Sequence, residues 1–414
     1  MKILIENIKT IVGANPVPQE TLAGKEMSVL PCVHNGWISI EDGNISGVGE
    51  MKEGMPAKAK FDKVINAERR FVFPSWCDSH THIVYAGSRE GEFVDRIKGL
   101  GYEEIARNGG GILNSAERLN KTSEDELFES AMHRLKEITK YGTGAVEIKS
   151  GYGLSVEGEI KMLRVIKRLK EHSPLTIKAT FLGAHAIPVK YKPNRQEYID
   201  LIINEMLPII GKEKLADYCD VFCDRGFFTI DETDAILQAG WKHGLQPKIH
   251  ANELDYSGGI QVGVKNKALS VDHLEFTGPE EIKILLASKT MPTLLPSTAF
   301  FLGLHYPPAR KMIDAGLPIA LATDYNPGSS PSGRMAFILS LACVKMKMLP
   351  EEAINAATVN SAYAMGISDT HGTITVGKTA SLFITHPIPS INYLPYSFGS
   401  DLIEQVIVEG EIIS

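Results

Sequence analysis

The sequence contains no uninterrupted run of the ~18 apolar residues that a membrane-spanning helix needs. Its longest uncharged, apolar-leaning stretch, 291–304, is broken by Pro292 and Pro296. At the start, Met1-Lys2-Ile3-Leu4-Ile5-Glu6 reaches an acidic residue too soon for the core of a secretion signal. Basic runs are missing as well. The 43 Lys+Arg stand against 50 Asp+Glu, a formal net charge of −7, which argues against nucleic-acid or anionic-membrane binding. Cysteine is scarce: Cys32, Cys77, Cys219, Cys223 and Cys343 are odd in number and widely scattered. That is the usage of a reduced cytoplasmic chain in which thiols serve as small apolar residues. No internal repeat of roughly 20–50 residues and no low-complexity tract occurs. The cluster Gly109-Gly110-Gly111 lacks the spaced glycines and the following helix of a dinucleotide-binding loop.

What is present is 43% apolar and 22% charged residues over 414 positions, an ordinary soluble globular composition. Such a length suits two to three domains, although one α/β barrel absorbs about 250 residues alone. Both ends read as short strands. Residues 37–48 fold back around Glu41-Asp42-Gly43-Asn44, and turns at Gly377-Lys378 and Glu409-Gly410 punctuate the C-terminal end. Neither end has enough strands to bury a core. The expected organisation is therefore a small β-sandwich assembled from 1–66 plus 372–414, with a larger domain, 67–371, inserted between them.

The middle alternates strand and helix. Candidate strands are 72–78, 144–150, 176–185, 218–224, 246–253, 269–275, 291–297 and 318–326. Amphipathic helical stretches such as 123–141, 156–172, 194–215 and 279–288 lie between them, and Ser123 with Glu126 forms a capping-box signature. Eight strands alternating with helices predict an α/β fold, a (β/α)8 TIM-like barrel, with an open doubly wound sheet as the rival.

Barrel enzymes place their chemistry at the C-terminal strand ends. The first strand runs into Asp78-Ser79-His80-Thr81-His82, where a period of two points both imidazoles the same way. The fifth ends with His250 and Glu253, the sixth carries Asp272-His273, and the eighth ends with Asp324 and Asn326. Four of eight strand ends thus carry His or Asp from a supply of only 12 histidines. His34, His133, His172, His243, His305, His371 and His386 fall in helices, loops or terminal strands and are expected to have no catalytic role.

These motifs resemble the amidohydrolase superfamily of metal-dependent hydrolases and, within it, the imidazolonepropionase family. The specific pieces are 78–82 followed by Ala86-Gly87-Ser88-Arg89, the run 109–112, Glu147 to Leu154, Phe181 to His185, and Asp324 to Pro331. The resemblance implies His80, His82, His250 and Asp324 as ligands of one divalent ion per chain, zinc or iron(II). Binuclear relatives carry a bridging lysine at the end of strand four; here that strand ends Val221-Phe222-Cys223-Asp224, which favours one metal. Cys219 and Cys223 read as packing, and Lys149 as a salt-bridging residue.

The resemblance further implies Glu253, His273 and Asp324 as acid/base groups. Substrate contacts would be Arg89, Tyr152, His185, Glu253, Asn326, Gly328 and Ser329, with Arg89 gripping a propionate through its planar fork. The competing readings are a solvated loop carboxylate for Glu253, a core histidine bonded to backbone for His273, and an ion pair with Glu90 or Glu92 for Arg89. The implied reaction is hydrolysis of the cyclic amide of 4-imidazolone-5-propanoate to N-formimidoyl-L-glutamate in histidine degradation. The implied partner is that small molecule, with neither nucleic acid nor membrane, and a homodimer is compatible. A ring-deaminating relative has no need of Arg89, and a non-catalytic scaffold would lack several of the four ligands.

Overall fold

The computed structural model describes residues 1–17, 19–100 and 110–413. Gly109 of the glycine cluster, and Pro18 and Ser414 of the expected terminal domain, lie outside the described residues. Among those described, eight parallel strands follow one another in chain order: β6 (Trp76–Thr81), β7 (Thr143–Lys149), β8 (Thr176–Ala184), β9 (Tyr218–Cys223), β10 (Gln246–Ala251), β11 (Ser270–His273), β12 (Met291–Leu294) and β13 (Ala320–Leu321). The ring closes where β13 runs on toward β6. Asp324 N donates to His80 O at 3.0 Å, and His82 N donates to Tyr325 O at 2.9 Å.

The first barrel strand differs from the expected 72–78. Phe71–Pro74 (β5) belongs to the other sheet, where it pairs with β1 (Lys2–Val12) and β14 (Leu382–Thr385). Pro74 offers no N–H, and Ser75 N then bonds to Ser381 O while Trp76 N bonds to Gly142 O, so the chain changes sheets at Ser75. The last strand is also shorter than 318–326, because Asp324 adopts a left-handed φ of +52° and Thr323 N bonds to Asp78 Oδ1 instead of a strand. The expected single helix at 194–215 carries a π-turn at Ile202–Met206, next to Pro208, which has no N–H for the preceding turn. A helix, Gly111–Lys121, does follow the glycine cluster; its Ile112, Ala116 and Leu119 spacing carried the signal. Val156–His172 forms as expected, and Ser123 caps Glu124–Lys140 with the predicted reciprocal bonds to Glu126.

Both chain ends build one mixed sheet in the order β16 (Glu411–Ile412), β15 (Ile403–Val408), β14, β5, β1, β2 (Cys32–Glu41), β3 (Asn44–Glu50), with β4 (Lys63–Asn66) beside β1. Its own core is aliphatic, with Ile3, Ile5, Ile38, Ile40, Leu382 and Ile407 fully buried. The β2–β3 hairpin turns through Asp42 and Gly43, both at positive φ (+48° and +81°), the geometry that keeps the strand twist continuous. No helix among the described residues is long and apolar enough to cross a membrane.

The barrel interior is unusual in carrying charge. Glu147, Lys149, Asp220, Lys248 and Asp272 all point inward and are fully buried. They persist there because they are paired: Lys149 Nζ lies 2.8 Å from Glu147 Oε1 and 2.7 Å from Asp220 Oδ2, and Lys248 pairs with Glu147.

A candidate metal centre and the pocket above it

Period-two alternation turns His80 on β6 and His82, the residue just past its end, to the inside, and β10 delivers His250 from across the barrel. The three Nε2 atoms converge, 3.3 Å from His82 to His80 and 3.4 Å from His250 to His82. Asp324 Oδ1 lies 3.5 Å from Nε2 of both His80 and His82. Behind the rings, His80 Nδ1–H donates to Asp272 Oδ2 at 2.6 Å and His250 Nδ1–H to Asp220 Oδ1 at 3.1 Å. Those bonds fix the tautomer and leave bare Nε2 lone pairs facing one another. Burial, reinforced by Lys149 for His80 and by His185 for His82, lowers both imidazoles well below their ordinary range, so they are neutral and ligand-competent. Asp324 is pushed up to about 6 by burial, and its Oδ2 accepts from Thr298 Oγ1 at 2.6 Å. Three converging imidazole nitrogens and a carboxylate oxygen suit a divalent cation of intermediate softness.

The pocket over this cluster brings together every expected site residue except His80, which lies buried at its floor. Tyr152 and His185 stand beside His82, whose ring stacks on His185 with centroids 5.4 Å apart. His185 Nδ1–H donates to Gly151 O at 3.1 Å, and burial with His250 lowers the ring to about 3.

Glu253 is no solvated loop residue, since its side chain is only 11% exposed. Its backbone N and that of Leu254 each donate at 2.8 Å to Asp224 Oδ2, which fastens the loop. Burial, then the charges of Asp324 and Asp224, push its carboxyl up to about 8. His273 has no backbone partner at Nδ1; that atom lies 3.7 Å from Glu253 Oε2.

Arg89 makes the ion pair weighed for it, a two-pronged bond to Glu92 (Nε–Oε1 2.8 Å, Nη2–Oε2 2.6 Å), and it also lines the pocket. Its Nη1 lies over Gly328, where an added Cβ would come within 2.4 Å, so the glycine makes room for the guanidinium. Asn326 shapes this loop: its Oδ1 accepts from Gly328 N and Ser329 N, and its Nδ2 donates to Asp324 O and Ser329 Oγ.

Several site residues escaped the sequence reading. Arg96 lines the pocket and donates to Gly328 O at 3.0 Å; its spacing of seven from Arg89 was the available signal. Ile112, Phe222 and Phe227 supply apolar wall. Asp220 and Asp272 stand behind the histidines. Cys219 and Cys223 sit in the core with thiols raised by burial, and Lys149 is salt-bridged, as expected.

Residues 71–413 match the model of the amidohydrolase family. Imidazolonepropionase of Flavobacterium johnsoniae is 59% identical over 413 residues, covering 100% of both chains. The enzyme of that name from Geobacillus kaustophilus is 42% identical, over 98% of this chain and 95% of its own. Among solved structures, guanine deaminase of E. coli superposes with a TM-score of 0.77 at 14% identity, over 100% of this chain and 99% of that one, a likeness of fold alone.

Proposed function

The chain belongs to the amidohydrolase family and, within it, to the imidazolonepropionases, and we propose on that premise how its residues divide the work. It hydrolyses the cyclic amide C–N bond of 4-imidazolone-5-propanoate, giving N-formimidoyl-L-glutamate in histidine degradation. The observation that carries the assignment of roles is the convergence of the His80, His82 and His250 nitrogens beneath a pocket edged by Arg89. His80, His82, His250 and Asp324 would hold one divalent ion, zinc or iron(II). When bound, such an ion supplies Lewis acidity and a water acidified toward neutral pH.

The rest is done by side chains. Arg89 receives the propionate on a guanidinium that Glu92 keeps oriented, and the Asn326–Ser329 loop seats the part of the molecule that becomes the glutamate backbone. Tyr152 and His185 flank the ring. Opening it adds OH to the carbonyl carbon and H to the departing nitrogen. Glu253, pushed up to about 8, can hold that proton near neutral pH and deliver it from its carboxyl oxygen. Asp324 would accept a proton from the attacking water, and His273 would serve beside it as a second acid/base group. Net acidity and five free cysteines support a cytoplasmic enzyme whose partner is the small molecule.

The test is to add 4-imidazolone-5-propanoate to the metal-loaded protein and follow its ultraviolet absorbance. Loss of absorbance that stops on chelation and returns with zinc or iron(II) is expected. Turnover that survives complete metal removal would overturn the ligand assignment.

A further inference from the structure

Strand β11 leaves the barrel through two consecutive non-glycine residues in the left-handed region, His273 at φ +83° and Leu274 at φ +70°. Such a pair persists only where the surroundings impose it. Here Leu274 N bonds to Ala251 O at 3.2 Å and Phe276 N to Asn252 O at 2.9 Å, locking the turn against the exit of β10. His305 Nε2–H adds a bond to Glu275 O at 3.1 Å. The turn brings the Glu275 carboxyl to 4.0 Å from His273 Nδ1.

The Glu275 side chain is 0% exposed, and neither of its oxygens has a hydrogen-bond partner among the described residues. His273 Nδ1 is unpartnered too. A buried carboxyl without a hydrogen-bond partner is costly, and His273 Nδ1, 4.0 Å away, is equally unsatisfied. Glu253 Oε2, at 3.7 Å, is the rival acceptor for the same N–H. The two carboxyls differ in position: Glu253 lines the substrate pocket, whereas Glu275 lies behind it. Burial pushes the Glu275 carboxyl well above its ordinary range, and the neighbouring Glu253 carboxyl pushes the same way.

We propose that Glu275 is a positioning residue that accepts the Nδ1–H of His273 when Glu253 turns to the substrate. It keeps the proton of the imidazole on Nδ1 and so leaves Nε2 bare. A side-chain shift of about 1 Å brings the two groups within hydrogen-bond range. The proposal rests on the roles given above to His273 and Glu253.

The experiment is steady-state kinetics on metal-loaded Glu275→Leu, Glu275→Met and Glu275→Gln, with the leucine change repeated in a His273→Ala background. Both apolar variants should lose about 10- to 100-fold in kcat with KM within about twofold, at unchanged metal content. Glu275→Gln, which keeps an acceptor oxygen, should fall between wild type and Glu275→Leu. In the His273→Ala background Glu275→Leu should cost nothing more. An apolar variant with wild-type kcat, or one whose loss is just as large without His273, overturns the proposal. Failure of both apolar variants to fold also overturns it, because Glu275 would then be structural. If His273→Ala alone leaves kcat unchanged, the role assigned to His273 fails, and the proposal with it. That result is distinct from a Glu275 failure in which His273→Ala is impaired and Glu275→Leu is not.

Discussion

His80 Nδ1 lies 2.6 Å from Asp272 Oδ2, and neither side chain is reached by solvent. A carboxylate in that place holds the ring's proton on the far side from the other ligands. Asp272→Asn should therefore weaken metal binding by about 10- to 100-fold while the fold survives. Competition with a chromogenic chelator measures this, and an unchanged affinity would show that His80 needs no orienting partner. His80→Ala should lose affinity by orders of magnitude, since it removes a ligand outright.

Arg89 is bound to Glu92 and lines the pocket at once, so its truncation has a readable signature. A bidentate charge-assisted pair contributes roughly 1.5–3 kcal/mol, and Arg89→Ala should lose on the order of 10- to 150-fold in kcat/KM, mainly through KM. Arg89→Lys should recover part of this, because it keeps charge and loses the fork. A variant that simply unfolds would make the Glu92 pair the whole of its role.

Glu253→Gln should lower kcat by about 10² or more, with metal content intact, if the carboxyl delivers the proton to the departing nitrogen. Single-turnover kinetics isolates that step. Wild-type chemistry in this variant would move the proton to another group.

Away from the pocket, burial, reinforced by the Lys378 ammonium, lowers the His371 imidazole from 6.5 to about 4. Between those values the unfolded chain binds a proton that the folded chain refuses. The contribution of neutral His371 is therefore complete above about pH 6.5 and is lost as pH falls toward 4, by about 3 kcal/mol in all. His371→Gln should remove this component. The difference in urea midpoint between wild type and variant should shrink or reverse from pH 7 to pH 5. A difference independent of pH would contradict the assignment.

Legibility in the sequence followed locality. His80 and His82 are two residues apart, so a strand period alone aligned them, and strand counting gave the barrel. The orienting partners were invisible for the opposite reason: Asp272 is 192 positions from His80, and only closure of the barrel joins them. The last strand was overcalled because alternation in the sequence does not reveal the left-handed turn at Asp324. The expected strand 72–78 runs across Pro74, because which sheet claims Phe71–Pro74 depends on Leu382–Thr385, near the other end of the chain. Arg89 lines the pocket and pairs with Glu92 at once, and nothing in its spacing separates a pocket residue from an ion pair with Glu90 or Glu92.

The barrel's seam has a consequence for how the protein is made. The two hydrogen bonds that close the ring, Asp324 N to His80 O and His82 N to Tyr325 O, join three of the four expected ligand residues and Tyr325. A nascent chain still on the ribosome holds His80 and His82 long before Asp324 has been synthesised. The full expected ligand set is therefore assembled only when the last strand docks, so closing the barrel and completing the site are one event.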